Sequence, residues 1–125
     1  MNVVDSSGWL EYFAGGTNAG FFAPAVKGVD TLVVPTVCMY EVFKRLLIQR
    51  GEESALQAIG IMSVGIVADF TREIAVNAAA ISSELKIAMA DSIILATTRA
   101  FDATLWTQDA DFHGIDGVQY IEKTE

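Results

Sequence analysis

Two aspartates stand two residues apart in the segment 104-TLWTQDADFHG-114, directly after an apolar run that ends in Thr107. Like charges repel, so Asp109 and Asp111 either occupy a solvated turn, where Asp and Gly are favoured, or face something positive. Three further acids bear on the choice: Asp5 after NVV, Glu41 in VPTVCMYEV and Asp91 in MADSIILATTRA. Carboxylates gathered without partners raise one another's pKa, so such a group makes physical sense mainly around a cation. Oxygen ligands with no histidine or cysteine among them select hard ions, Mg²⁺ or Mn²⁺, one or two of them. The chemistry these ions serve is phosphoryl transfer, in which they activate water near neutral pH and neutralise charge on phosphate oxygens.

Whether the five acids meet depends on the elements that carry them. Short apolar runs predict strands at Asn2–Val4, Thr31–Val34, Gly65–Ala68, Thr104–Trp106 and Val118–Ile121. Segments with helical periodicity separate them, the alternation of a parallel sheet covered on both faces. The first strand is so short and apolar that it should lie centrally. Thr36–Arg50, opened by Pro35, predicts a helix with Tyr40, Phe43 and Leu47 on one face and Glu41, Lys44 and Arg45 beside it. Glu52–Met62 and Thr71–Leu85 predict packing helices, with Ala55, Ile59 and Met62 on one stripe and Ile74, Ala78, Ile81 and Leu85 on the other. Ala90–Phe101 predicts a helix opening with Asp91. In a parallel sheet, strand ends and helix starts share one edge. Asp5, Glu41, Asp91, Asp109 and Asp111 therefore converge on one rim, the usual location of ligands in open α/β sheets.

The rest of the composition narrows the class. At 125 residues, with 52% hydrophobic and 19% charged residues, the chain has the size of one domain with a real core and an apolar excess that favours self-association. Sixteen acidic against eight basic residues leave a net charge of −8, which argues against a broad basic face gripping nucleic acid. Cys38 is the sole cysteine and reads as a small buried residue, consistent with a reducing, cytoplasmic setting. The N-terminus lacks the pattern of a secretory signal, and the uncharged stretch Ser54–Ala68, at 15 residues, is too short and polar to span a membrane.

Taken in order and at their spacing, VVDSS, VPTVCMYEV, MADSIILATTRA and LWTQDADF make the chain resemble the PIN-domain nucleases, and within them the VapC-like toxins of type II toxin–antitoxin modules. The resemblance runs over essentially the whole chain, residues 1–125, as a single domain. It implies a three-layer α/β/α sandwich with a five-stranded parallel sheet and an Mg²⁺- or Mn²⁺-dependent endoribonuclease. It further implies a single-stranded RNA substrate, an antitoxin partner and a homodimer. Residue by residue it assigns Asp5, Glu41, Asp91 and Asp109 as the acidic quartet and Ser6 and Thr107 as supporting hydroxyls. Asp111 is an extra ligand or a water-positioning group. Many relatives carry a basic residue where this chain has Gln108, and no Lys or Arg occurs between Arg99 and Lys123.

Several residues have a plainer reading beside the functional one. Lys44 or Arg45 can pair with Glu41 at helical spacing, or contact a phosphate backbone. His113 reads as a turn residue. Asp69 reads as the cap of the helix beginning near Thr71. Trp9, Tyr12, Phe13, Phe21 and Phe22 stack on bases or belong to a core or dimer interface. A phosphorelay receiver module would need a lysine after the last long strand, which is absent. A catalytically silent binding or scaffold subunit of the same fold is the alternative to the nuclease, and the presence of all four acids argues against it.

Overall fold

The computed structural model describes residues 1–124; Glu125, the last residue of the expected domain, lies outside the described residues. Five parallel strands, β1 (Asn2–Val4), β2 (Leu32–Pro35), β3 (Ile66–Ala68), β4 (Thr104–Thr107) and β5 (Val118–Tyr120), form one sheet in the order β3-β2-β1-β4-β5. The expected α/β/α architecture is present, with β1 at the centre. Val3, Val4, Val33, Val34 and Leu105 are fully buried, as expected for strands covered on both faces.

Among the described residues the α-helices are α1 (Ser6–Ala14), α2 (Ala19–Lys27), α3 (Thr36–Arg50), α4 (Glu52–Met62), α5 (Arg72–Leu85) and α6 (Met89–Ala100). They pack as the consecutive pairs α1–α2, α3–α4 and α5–α6. Gly8 lets α1 lie close to its neighbours, because a Cβ there would come within 2.7 Å of both Phe22 and Val4. Gly51, at φ 92°, turns the chain between α3 and α4 in a conformation that side chains rarely adopt.

Several local expectations are corrected. The buried stripe of α3 is Cys38, Val42 and Leu46, with Phe43 partly buried at the edge of the core, while Tyr40 and Leu47 are exposed; packing against α4 and the sheet decides which face turns inward. On α4 Ala58 is buried with Ala55 and Met62, with Ile59 at the margin, and on α5 Leu85 is exposed. The cap of α5 is Thr71, whose hydroxyl accepts from the Ile74 N–H at 3.2 Å; Asp69 lies too early in the chain to reach that first turn. Of the aromatics, Trp9 and Phe22 are fully buried, and Phe13 and Phe21 pack against the core, which removes them as base-stacking residues.

Chain order creates a switch point. From β1 the sheet grows through β2 and β3 on one side, and through β4 and β5 on the other. The carboxyl ends of β1 and β4 flank the resulting crevice, where ligands of open α/β sheets bind.

Candidate metal centre and its surroundings

Asp5 leaves the end of β1 and caps α1. Its Oδ1 accepts from the Gly8 N–H at 2.9 Å and from the Ser7 hydroxyl at 2.8 Å, and its Oδ2 accepts from the Thr107 hydroxyl at 2.7 Å. It is only 3% exposed. Burial pushes its carboxyl up to about 6 despite the Thr107, Gly8 and Ser7 hydrogen bonds, and the charge of Asp109 adds to the rise.

Thr107 also accepts from the Asp109 N–H at 2.9 Å, so one hydroxyl ties the β4 loop to Asp5. Asp109 in turn opens a short 3₁₀ turn, Ala110–Phe112, by accepting from the Asp111 N–H at 2.9 Å. Phe112 is fully buried and pins that turn to the core. The two aspartates are thus a turn motif locally and a carboxylate pair spatially, which reconciles both readings of the QDAD segment.

Asp91 is the third residue of α6, whose first turn favours negative charge. Asp91, Asp109 and Asp111 bring carboxylate oxygens within 4.8 Å of one another, close enough to share one ion. Burial first, then the charges of Asp109, Asp111, Glu41 and Asp5, raise the Asp91 carboxyl to about 7. All five acids therefore act on one rim, with Asp111 inside the tightest group. Three oxygen donors suit Mg²⁺ or Mn²⁺. Cys38 offers no thiolate, because burial raises its pKa far above the ordinary thiol value.

Glu41 accepts from the Ser6 hydroxyl at 2.6 Å, and Lys44 lies over the Tyr40 ring at 5.8 Å from its centroid. A cleft of about 870 Å³ opens beside them, lined by the acids Glu11, Glu41 and Asp109 and by the cations Lys44, Arg45, Arg50 and Lys123. Half of the eight basic side chains thus line one depression despite the net charge of −8.

Ser7, Asn18 and Gln108 escaped sequence reasoning. Ser7 had a local signal, since Asp-Ser-Ser-Gly before a helix is an N-cap pattern. Asn18 and Gln108 had none: they lie 90 residues apart, and the Asn18 side-chain amide donates to Gln108 Oε1 at 3.0 Å. His113 stacks on Tyr120 with ring centroids 4.4 Å apart, in keeping with a turn residue held at the surface.

Residues 3–118 match the PIN domain family model. The chain is a PIN domain. This PIN domain shares its fold with solved toxin structures. One is a toxin–antitoxin complex from Klebsiella pneumoniae, at 24% identity and a TM-score of 0.80 over 95% of this chain and 96% of that one. Another is VapC20 of Mycobacterium tuberculosis, a Sarcin-Ricin loop cleaving toxin, at 19% identity and a TM-score of 0.78 over 94% and 97% of the two chains. A third is VapBC-1 from nontypeable Haemophilus influenzae, at 19% identity and a TM-score of 0.71 over 97% and 96%. Comparison with curated proteins gives no match.

Proposed function

We propose that this PIN domain is a metal-dependent endoribonuclease and the toxin of a VapBC-type pair. The observation that carries the reading is the cleft in which Lys44, Arg45, Arg50 and Lys123 share the lining with Glu41 and Asp109 of the carboxylate rim. A phosphodiester needs both: cations along its backbone and a hard metal at the scissile group.

Asp91, Asp109 and Asp111 would hold Mg²⁺ or Mn²⁺, with Glu41 and Asp5 beside them, directly or through water. When bound, such an ion activates water and neutralises charge on the phosphate oxygens. The chain's own groups do the rest. Thr107 and Ser7 hold Asp5, and Ser6 orients Glu41. Lys44 and Arg45, with Arg50 and Lys123 further along, contact the phosphates of a single-stranded RNA. Hydrolysis leaves a 5′-phosphate and a 3′-hydroxyl, with no covalent enzyme intermediate.

The antitoxin partner is supported by neighbours that are themselves toxin–antitoxin complexes. A homodimer is supported by exposed apolar side chains, among them Ile61, Val64 and Val67. RNA as substrate places the protein in the cytoplasm, and among the described residues no helix is long and apolar enough to cross a membrane.

The test is cleavage of a mixed single-stranded RNA pool with Mg²⁺, with Mn²⁺ and with chelator, beside Asp91→Asn. Metal-dependent cutting that vanishes in the variant is expected. Binding of metal and RNA without any cutting would instead identify a silent binding subunit.

A further inference from the structure

Glu41 faces two depressions. One is the cationic cleft; the other is an apolar groove of about 470 Å³ lined by Val37, Tyr40, Phe70, Met89 and Ile93, with Thr36 and Ala90 beside them. Its walls are the first two turns of α3 and α6, which also carry Glu41 and Asp91, and the segment between β3 and α5 that carries Phe70. Tyr40, Phe70 and Met89 are 63%, 49% and 71% exposed, so three large apolar side chains surround a groove that adjoins the acidic rim.

We propose that this groove receives the nucleobase next to the scissile phosphate and makes cleavage selective for the base at that position. The inference rests on the ribonuclease reading above and adds a subsite to it. Chain connectivity supplies the first argument. A phosphate held at the carboxylate rim has a nucleoside one sugar away, and the groove begins at Glu41 on that rim. Charge supplies the second. The four cations line the cleft and none lines the groove, while Tyr40 and Glu41 line both and Lys44 lies over the Tyr40 ring. A polyanion passing from the cleft into the groove therefore has its backbone matched in the first and needs an uncharged, flat part in the second.

The lining chemistry suits a base. Aromatic side chains stack on bases of any identity, and stacking is worth about 1–3 kcal/mol per base. Selectivity needs hydrogen-bonding groups at the edge of the stack, and Thr36, Tyr40 and Glu41, which carry such groups, are among the residues that line the groove. Phe70 lies outside the hydrophobic core, so its removal tests the groove without dismantling the fold.

The experiment compares the parent with Phe70→Ala and Phe70→Trp. Cut sites in a mixed RNA pool are mapped by sequencing, with kcat and KM on one preferred oligonucleotide. In parallel, 2-aminopurine oligonucleotides are titrated into the Asp91→Asn protein with and without Phe70→Ala, reading fluorescence quenching as the base stacks. Expected are a base preference beside the cut in the parent, its relaxation in Phe70→Ala with KM raised roughly tenfold at similar kcat, and recovery in Phe70→Trp. Quenching should disappear with Phe70. If the parent cuts and Phe70→Ala keeps both preference and KM, the proposal is overturned. A dimer that becomes monomeric on Phe70→Ala in the absence of RNA also overturns it, since a second copy then covers the groove. If the parent does not cut, the ribonuclease reading fails by itself; the groove is then judged by quenching, and quenching indifferent to Phe70 removes it too.

Discussion

The hydroxyl of Thr107 lies 2.7 Å from Oδ2 of Asp5, a hydrogen bond between residues 102 positions apart that joins the ends of β1 and β4. The Thr107 hydroxyl oxygen also accepts from the Asp109 N–H, so Thr107 couples the buried acid to the loop that carries half-buried Asp109 and exposed Asp111. Thr107→Val keeps the shape but leaves Asp5 Oδ2 without its Thr107 donor and the Asp109 N–H without its acceptor. We expect a loss of about 1–3 kcal/mol in urea unfolding and a larger proportional loss of RNA cleavage, because Asp109 is no longer held.

Asp5→Asn separates stability from chemistry. The amide oxygen can still accept from the Gly8 N–H and cap α1. Cleavage should fall at least about a hundredfold while the melting temperature stays within a few degrees of the parent. Parental cleavage by a contaminant-free preparation of this variant would remove Asp5 from the site.

The raised carboxyls give the metal-free protein a signed pH dependence. Asp5, at about 6, and Asp91, at about 7, hold protons in the folded state that the unfolded chain sheds near 3.8. Folded protein therefore binds more protons across the interval from about 4 to about 7, and this contribution to stability falls as pH rises through it. Subtracting the melting temperature of Asp91→Asn from that of the parent isolates the Asp91 part. The difference should grow more negative from pH 4 to pH 7 in chelator and level off above. Mg²⁺ competes with those protons, so its stabilising effect should be larger at pH 8 than at pH 5.5.

Asn18 and Gln108 form a buried amide pair, 5% and 4% exposed, that also ties the C-terminal segment through the Glu122 carbonyl. Asn18→Asp removes the donor and adds a buried charge; Gln108→Met removes the acceptor at similar volume. Each should cost about 1–3 kcal/mol in urea unfolding, and the double variant should cost less than the sum, as neighbouring residues that share one hydrogen bond do.

Lys44, Arg45 and Lys123 should matter to binding rather than to the chemical step. Replacing any one by Gln in an Asp91→Asn background should weaken single-stranded RNA binding and lower the slope of log affinity against log salt by about 0.7 for each phosphate no longer neutralised. An unchanged slope in all three variants would move the RNA out of this cleft. Affinity should also rise with Mg²⁺ in the parent, since the net charge of −8 opposes RNA until the rim is neutralised.

Sequence by itself determined the alternation of strands and helices, the central place of β1 and the common rim of Asp5, Glu41, Asp91, Asp109 and Asp111. These follow from periodicity and from the geometry of any parallel sheet, both of which are local or generic rules. It did not determine which face of α3 is buried, because Cys38, Val42 and Leu46 compete with Tyr40, Phe43 and Leu47 on nearly equal apolar terms until α4 and the sheet are packed against them. Nor could it pair Asn18 with Gln108, or show that Asp111 rather than Asp5 joins Asp91 and Asp109 in the tightest group, since those outcomes depend on side-chain hydrogen bonds across the switch point between β1 and β4. The gathering of Lys44, Arg45, Arg50 and Lys123 beside the acids was equally invisible in a net charge. Only tertiary structure decides where charges separated along the chain come to lie, and here it gathers half the basic side chains in one cleft beside the acidic rim.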